Sequence, residues 1–238
     1  MSDTGLADGV LLRPVRSGNS FEDTVARLLQ TIRLGIVSPG EALPAERDLA
    51  TRFSVSRDTV RDAIKSLSDA GYLVSRRGRY GGTFVSETLP VVGAAEAATA
   101  TAAEIDDVLG LREILEVGAA RAAAGRSLGA AERELLFTRL GETAAASIAD
   151  YRRLDSRLHL TIGELVGTPS LVSLLADNRT RVNELLDGIP LLARNIEHSN
   201  QQHEAIVRAI LTGNSDAAAA GMSEHLEGSA ALIRGFLG

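Results

Sequence analysis

PAERDLATRFSVSRDTVRDAIKSLSDAGYLVSRRGRYGGTF, residues 44–84, decides how this chain is read. A proline at its start suits the first turn of a helix, where a missing N–H costs nothing, so a helix is expected from about Pro44 to Phe53. Ser56 stands where a hydroxyl caps the next helix. That helix carries Val60, Ala63, Ile64 and Leu67 at three- and four-residue steps, one apolar stripe, and Gly71 ends it. Tyr72-Leu73-Val74 and Thr83-Phe84-Val85 alternate like short strands around an RRGRYGG tip. Helix, turn, arginine-bearing helix and glycine-tipped hairpin, in that order, are the plan of a winged helix-turn-helix. A basic helix that fits the major groove, followed by a basic wing, is built to hold duplex DNA.

Upstream, Phe21, Val25, Leu28, Leu29 and Ile32 form another helical stripe, and Ser38-Pro39-Gly40 breaks the chain after it. Residues 1–19 are polar and without period, which predicts a mobile arm. Downstream, residues 88–103 are rich in small residues and weakly patterned, a linker with room for a short helix. From Glu104 the pattern is helical throughout, with breaks near 126–129, 149–150, 167–169, 188–190 and 213–214. Those breaks predict an antiparallel bundle of six or seven helices. The expected fold is therefore mainly α, with one small β-hairpin wing. Its parts are an arm (1–19), a winged domain (20–87), a linker (88–103) and a helical domain (104–238).

The 238 residues carry a net charge of -6, at first sight a poor match to a polyanion. The distribution matters more. Residues 1–87 hold 12 basic and 11 acidic side chains, whereas residues 88–238 hold 13 and 20. Within 44–82 there are 8 basic and 5 acidic, so the local patch is positive where DNA would lie. Lys65 is the sole lysine. There is no cysteine, which excludes disulfides and thiolate chemistry and agrees with a reducing cytoplasm. No secretory leader or membrane-spanning apolar run is present, and a cytoplasmic protein is expected.

Arg57, Thr59 and Arg61 lie opposite the apolar stripe of their helix, so burying that stripe turns them outward. Arginine can grip guanine O6 and N7 with both arms of its fork, and threonine can meet a base edge or a phosphate. Arg47 is placed for a phosphate, and Arg77, Gly78 and Arg79 form the wing. A solvated face shared with Asp58 and Asp62 is the other reading of the same charges.

Three of the four histidines sit in the helical region on inward faces. Asp155 and His159 are one turn apart, His203 precedes Ile206, Val207, Ile210 and Leu211, and His225 shares a face with Met222, Leu232 and Ile233. Three imidazoles and a carboxylate make a donor set for a divalent transition metal, with zinc, nickel and manganese not distinguished. Hydrogen-bonded core histidines and a plain i,i+4 pair are the alternatives. His198, near a helix start, is left out. Glu164, Asp177, Asn178 and Arg181 are expected at the surface.

PGEALPAERDLATRFSVSRDTVRDAIKSLSDAGYLVSRRGRYGGTFV resembles the N-terminal domain of the GntR family of bacterial transcription regulators, over roughly residues 21–86. The resemblance implies that Arg47, Ser56, Arg57, Thr59, Arg61 and Gly78 touch DNA. Asp58 departs from the small or hydroxylated residue common at its position, and Tyr80 is an addition to the wing tip. The runs VLGLREILEVGAARAAA, YRRLDSRLHLTIGELVGTPSLVSLL and QQHEAIVRAILTGNSDAAAAGMSEHL are similar to the effector domain of the FadR subfamily, over 104–236. That likeness implies a metal on Asp155, His159, His203 and His225, and an effector cavity lined by Arg112. Arg112 also reads as an i,i+4 partner of Glu116 on a wet face. Thr168 replaces the asparagine usual before the proline. The family further implies a homodimer on a pseudo-palindromic operator, most often a repressor, with small carboxylates as effectors. Two other functions remain open from the residues alone. One is a metal-dependent enzyme acting on a small organic acid; the other is an architectural DNA protein whose binding ignores sequence.

Overall fold

The computed structural model describes residues 20–78, 81–90 and 100–237. They fall into two compact units, divided between residues 91 and 92. The arm at 1–19, the wing residues Arg79 and Tyr80, and most of the 88–103 linker lie outside the described residues.

In the first unit α1 spans Ser20–Arg33, α2 Glu46–Phe53 and α3 Arg57–Asp69, followed by β1 (Leu73–Arg76) and β2 (Gly82–Val85). Pro44 stands before α2 rather than in its first turn. Leu43 explains why: its N–H bonds the carbonyl of Thr83 at 2.8 Å and its neighbour Ala42 bridges Phe84. The chain is thus still extended beside β2, which suits the residue before a proline. Ser54 closes α2 in the left-handed region at φ 57, the one described non-glycine there. Ser56 then caps α3, its hydroxyl accepting from the Thr59 N–H at 3.0 Å. Ala70 is the C-cap of α3, and Gly71 follows at φ 84, a conformation only glycine adopts cheaply.

The strands are antiparallel, with Leu73 opposite Val85 and Arg76 opposite Gly82. Leu73 and Val85 turn inward to close a core with Leu28, Ile32, Leu49, Phe53, Val60, Ala63 and Leu67. This core fixes α3 by its apolar stripe and leaves the opposite face in solvent.

The second unit holds six helices among the described residues: α4 (Ala102–Ala124), α5 (Ala130–Ala144), α6 (Tyr151–Leu165), α7 (Pro169–Asp187), α8 (Ala193–Leu211) and α9 (Ser215–Leu237). Among the described residues this is the six-helix alternative, and each predicted break falls at a junction between two helices. α4 starts at Ala102, two residues before the sequence pattern becomes clear. Thr101 supplies the reason, forming a reciprocal capping box with Glu104. α4 is central and packs against α6, α7, α8 and α9. Its buried stripe runs through Ile105, Val108, Leu109, Arg112, Leu115, Glu116, Ala119, Ala120 and Ala123. The two charged members of that stripe set the chemistry of the bundle.

Candidate DNA-reading face and candidate metal centre

Arg57 and Arg61 project from the exposed face of α3, as burial of Val60, Ala63, Ile64 and Leu67 requires. The Arg61 fork is held at both arms, Nη1 by Asp58 at 2.9 Å and Nη2 by Glu46 of α2 at 3.2 Å. The acid at 58 thus meets a neighbouring guanidinium. Thr59 is half-buried, and its hydroxyl lies 2.9 Å from that of Ser56, so the two form one capping unit. Arg47 is exposed and leans on Asp48 at 3.4 Å. Arg77 and Gly78 are exposed in the wing, with Gly78 at φ 108. Arg76 instead lies over the Phe84 ring, 4.5 Å from its centre, and lines the hairpin rather than its tip. These ion pairs are wet and contribute little to folding, typically under about 1 kcal/mol each.

The second unit gathers its polar groups inside. Asp155 and His159 of α6, His203 of α8 and His225 of α9 place one donor atom each within 4.8 Å of one another. Nε2 of His203 is 3.3 Å from Nε2 of His159, 3.2 Å from Nε2 of His225 and 3.3 Å from a carboxylate oxygen of Asp155. Tetrahedral donors on bonds of about 2.0–2.1 Å stand roughly 3.3 Å apart; the three distances to His203 match that spacing, while His159 Nε2 and Asp155 stand wider, at 3.8 Å.

The donor set also fits a cation. His159 Nδ1 faces Glu116 and His225 Nδ1 faces Gln202 Oε1 at 3.2 Å. If each ring gives its Nδ1–H to that oxygen, both Nε2 lone pairs and the Asp155 carboxylate aim at one point. A single N–H from His203 cannot satisfy all of them. Burial pushes His203 down to about 4 and His225 well below the usual histidine range, which keeps both rings neutral, with a lone pair to offer, at neutral pH.

Two arginines wall this centre. Arg179 of α7 is fully buried and bonds Asp155, Glu116 (3.4 Å) and Ser156 (3.1 Å). Arg112 is 2% exposed, donating to Glu116 at 3.2 Å and to Ser229 at 2.7 Å. Its wet-face reading is corrected: the pair with Glu116 exists, but in a dry interior where α4 meets α9. Burial opposes ionisation of Glu116 and Asp155, yet both are held far below the ordinary carboxylate range. His159 and the two guanidinium groups do so for Glu116, chiefly Arg179 and the histidines for Asp155.

The sequence reading passed over Glu116 as a centre residue and missed Arg179, Gln202 and Ser229. A signal existed for Arg179, since Val172, Leu175, Ala176, Arg179 and Val182 share one buried stripe. A cation on an apolar stripe demands a buried partner. Glu164 and Asn178 are not at the surface: Glu164 pairs with Arg157 at 3.0 Å and Asn178 donates to the Val108 carbonyl at 3.0 Å. Arg181 is exposed beside Asp107, and His198 is exposed. None of these joins the metal donors.

Comparison with known proteins decides the family. Residues 21–85 match the model of the bacterial regulatory proteins of the gntR family, and residues 107–228, half of the chain, match the FCD domain. The chain belongs to the GntR family, with an FCD domain. This GntR-family protein is 28% identical to an Escherichia coli K12 protein named for regulation of the L-lactate dehydrogenase operon, over 91% of this chain and 86% of that one. It is 28% identical to the HTH-type transcriptional repressor NanR of Cronobacter sakazakii, over 90% and 85% of the two chains. Among solved structures, Escherichia coli McbR/YncC shares the fold, with a TM-score of 0.56 at 16% identity over 91% and 97% of the chains. The protein is a DNA-binding transcription regulator controlled by an effector, and not an enzyme. No described helix is long and apolar enough to cross a membrane.

Proposed function

We propose that this regulator is a cytoplasmic homodimer that represses from a pseudo-palindromic operator and lets go when a small carboxylate enters its bundle. In the winged domain (20–87), Arg57 and Arg61 read bases, with Ser56 and Thr59 beside them. Arg47, Arg77 and Gly78 hold the sugar–phosphate backbone. The bundle (104–238), joined through 88–103, holds a divalent metal on Asp155, His159, His203 and His225, with Arg112 facing the effector.

One observation carries the proposal: four donors converge within 4.8 Å of one another inside a wall of buried arginines. Asp155 and Glu116 balance Arg112 and Arg179, so the metal-free interior is neutral in sum. A divalent ion bound there leaves two positive charges in excess and supplies a Lewis-acidic position for an effector oxygen. Arg112 then offers a guanidinium to the same anion. Dimer symmetry would set the half-site spacing. Release from DNA follows only as far as the effector's affinity differs between the DNA-fitting and non-fitting arrangements.

The test joins metal analysis to gel shifts. The purified chain should carry about one divalent ion and His203→Ala none; equal content in both removes the metal centre. The chain should also retard the DNA upstream of its own gene despite competitor, and a small carboxylate should weaken that shift only when metal is present. Weakening that persists after chelation would remove the metal from the effector site.

A further inference from the structure

Glu116 stands where the metal donors and the effector arginine meet. It is 2% exposed. One carboxylate oxygen lies against Nδ1 of His159; the other accepts from Arg112 Nε at 3.2 Å and from Arg179 at 3.4 Å. Arg179 in turn grips Asp155, a second metal donor. One side chain on the central helix therefore reaches one donor directly, another through a guanidinium, and the effector arginine directly.

The three imidazoles are not backed alike. His225 faces the neutral amide oxygen of Gln202, and among the described residues Nδ1 of His203 is buried without a hydrogen-bond partner. Only His159, among the three, has a carboxylate behind it. An anion accepting from Nδ1–H fixes the tautomer, points the Nε2 lone pair at the ion and makes that nitrogen a stronger donor. The same carboxylate sets the direction of the Arg112 fork, because Nε and one terminal nitrogen are already engaged by Glu116 and Ser229.

We infer that Glu116 is a positioning residue that locks His159 onto the metal and ties that ligand to Arg112 and Arg179, making metal occupancy and the set of the effector arginine one coupled arrangement. This rests on reading Asp155, His159, His203 and His225 as a metal centre and Arg112 as the effector arginine. The competing role is that of a counter-ion for two arginines, with no effect on the metal.

Zinc affinity of the full chain, measured by competition with a chromophoric chelator, separates the two roles when read beside the visible spectrum of bound Co2+. Glu116→Gln should bind zinc roughly 10–100-fold more weakly and shift the cobalt bands. Arg112→Met keeps the carboxylate behind His159 but removes one of the groups that hold it, so it should weaken zinc binding by less than Glu116→Gln does. The double variant Arg112→Met with Glu116→Gln removes one buried charge of each sign, so it tests the role even if the single glutamine variant does not fold; it should be as weak as predicted for Glu116→Gln. In the parent, nitrogen-15 spectra of labelled histidine with zinc bound should show His159 ligating through Nε2 and keeping its Nδ1–H. A parent that binds no zinc overturns the metal centre and this inference together. A parent that binds zinc overturns the inference alone in either of two cases: a folded double variant with unchanged affinity and cobalt spectrum, or a His159 bound through Nδ1.

Discussion

Each unit of this protein holds an arginine between two carboxylates, and the two clamps behave as opposites. Arg61 lies between Asp58 and Glu46 with 58% of its side chain exposed. Arg179 lies between Asp155 and Glu116 with none exposed. In water the first clamp is screened, and phosphates or guanine edges can take the place of either acid. In the interior no water or outside ion can replace a lost partner, and removing Arg179 leaves Asp155 without its guanidinium. The winged unit leaves its cation open to exchange with an outside anion, while the bundle locks its cation among the residues of the candidate metal centre.

The comparison can be broken at four points. Arg179→Met leaves Asp155 and Glu116 short of a partner and should cost about 3–5 kcal/mol of folding stability, measured by denaturant unfolding. A loss as small as that of a surface change would mean the inner clamp is as replaceable as the outer one. Arg61→Ala should leave folding intact but weaken operator binding by about 1–3 kcal/mol and relax sequence preference, seen as a smaller gap between operator and random DNA. An unaltered gap would take Arg61 out of base reading. Ser56→Ala removes the cap of α3 and should cost about 1 kcal/mol in unfolding experiments. Full stability would show that the bond from the Thr59 N–H to the Ser56 hydroxyl adds nothing measurable to the fold. Smallest of all, Asp58→Ala should shift stability by less than about 0.5 kcal/mol while tightening DNA binding at low salt. Weaker binding would mean that Asp58 itself accepts a hydrogen bond from a base.

The winged unit was nearly all legible along the chain. Its stripe, cap and C-terminal glycine are local signals, and a helix buried on one face must show the other. The one misplaced detail, Pro44, depended on a pairing between Leu43 and Thr83 forty residues apart, which no local pattern records. In the bundle the helix breaks were legible for the same reason, since glycine and proline punctuate locally. Asp155, His159, His203 and His225 were also legible as inward-facing residues. Their partners were not: Glu116 read as half of a solvated i,i+4 pair because its second and third partners come from α6 and α7.

The sequence by itself determined the helices, the hairpin, the family and which face of α3 stays in solvent, because each follows from periodicity or a short contiguous pattern. Tertiary structure alone decided that four donor side chains from three helices gather within 4.8 Å, that Arg112 is dry, and that Glu116 joins it to His159. The reason is physical: a convex face is fixed by the helix that bears it, whereas an enclosed site exists only where several helices bring their inner faces together and exclude water.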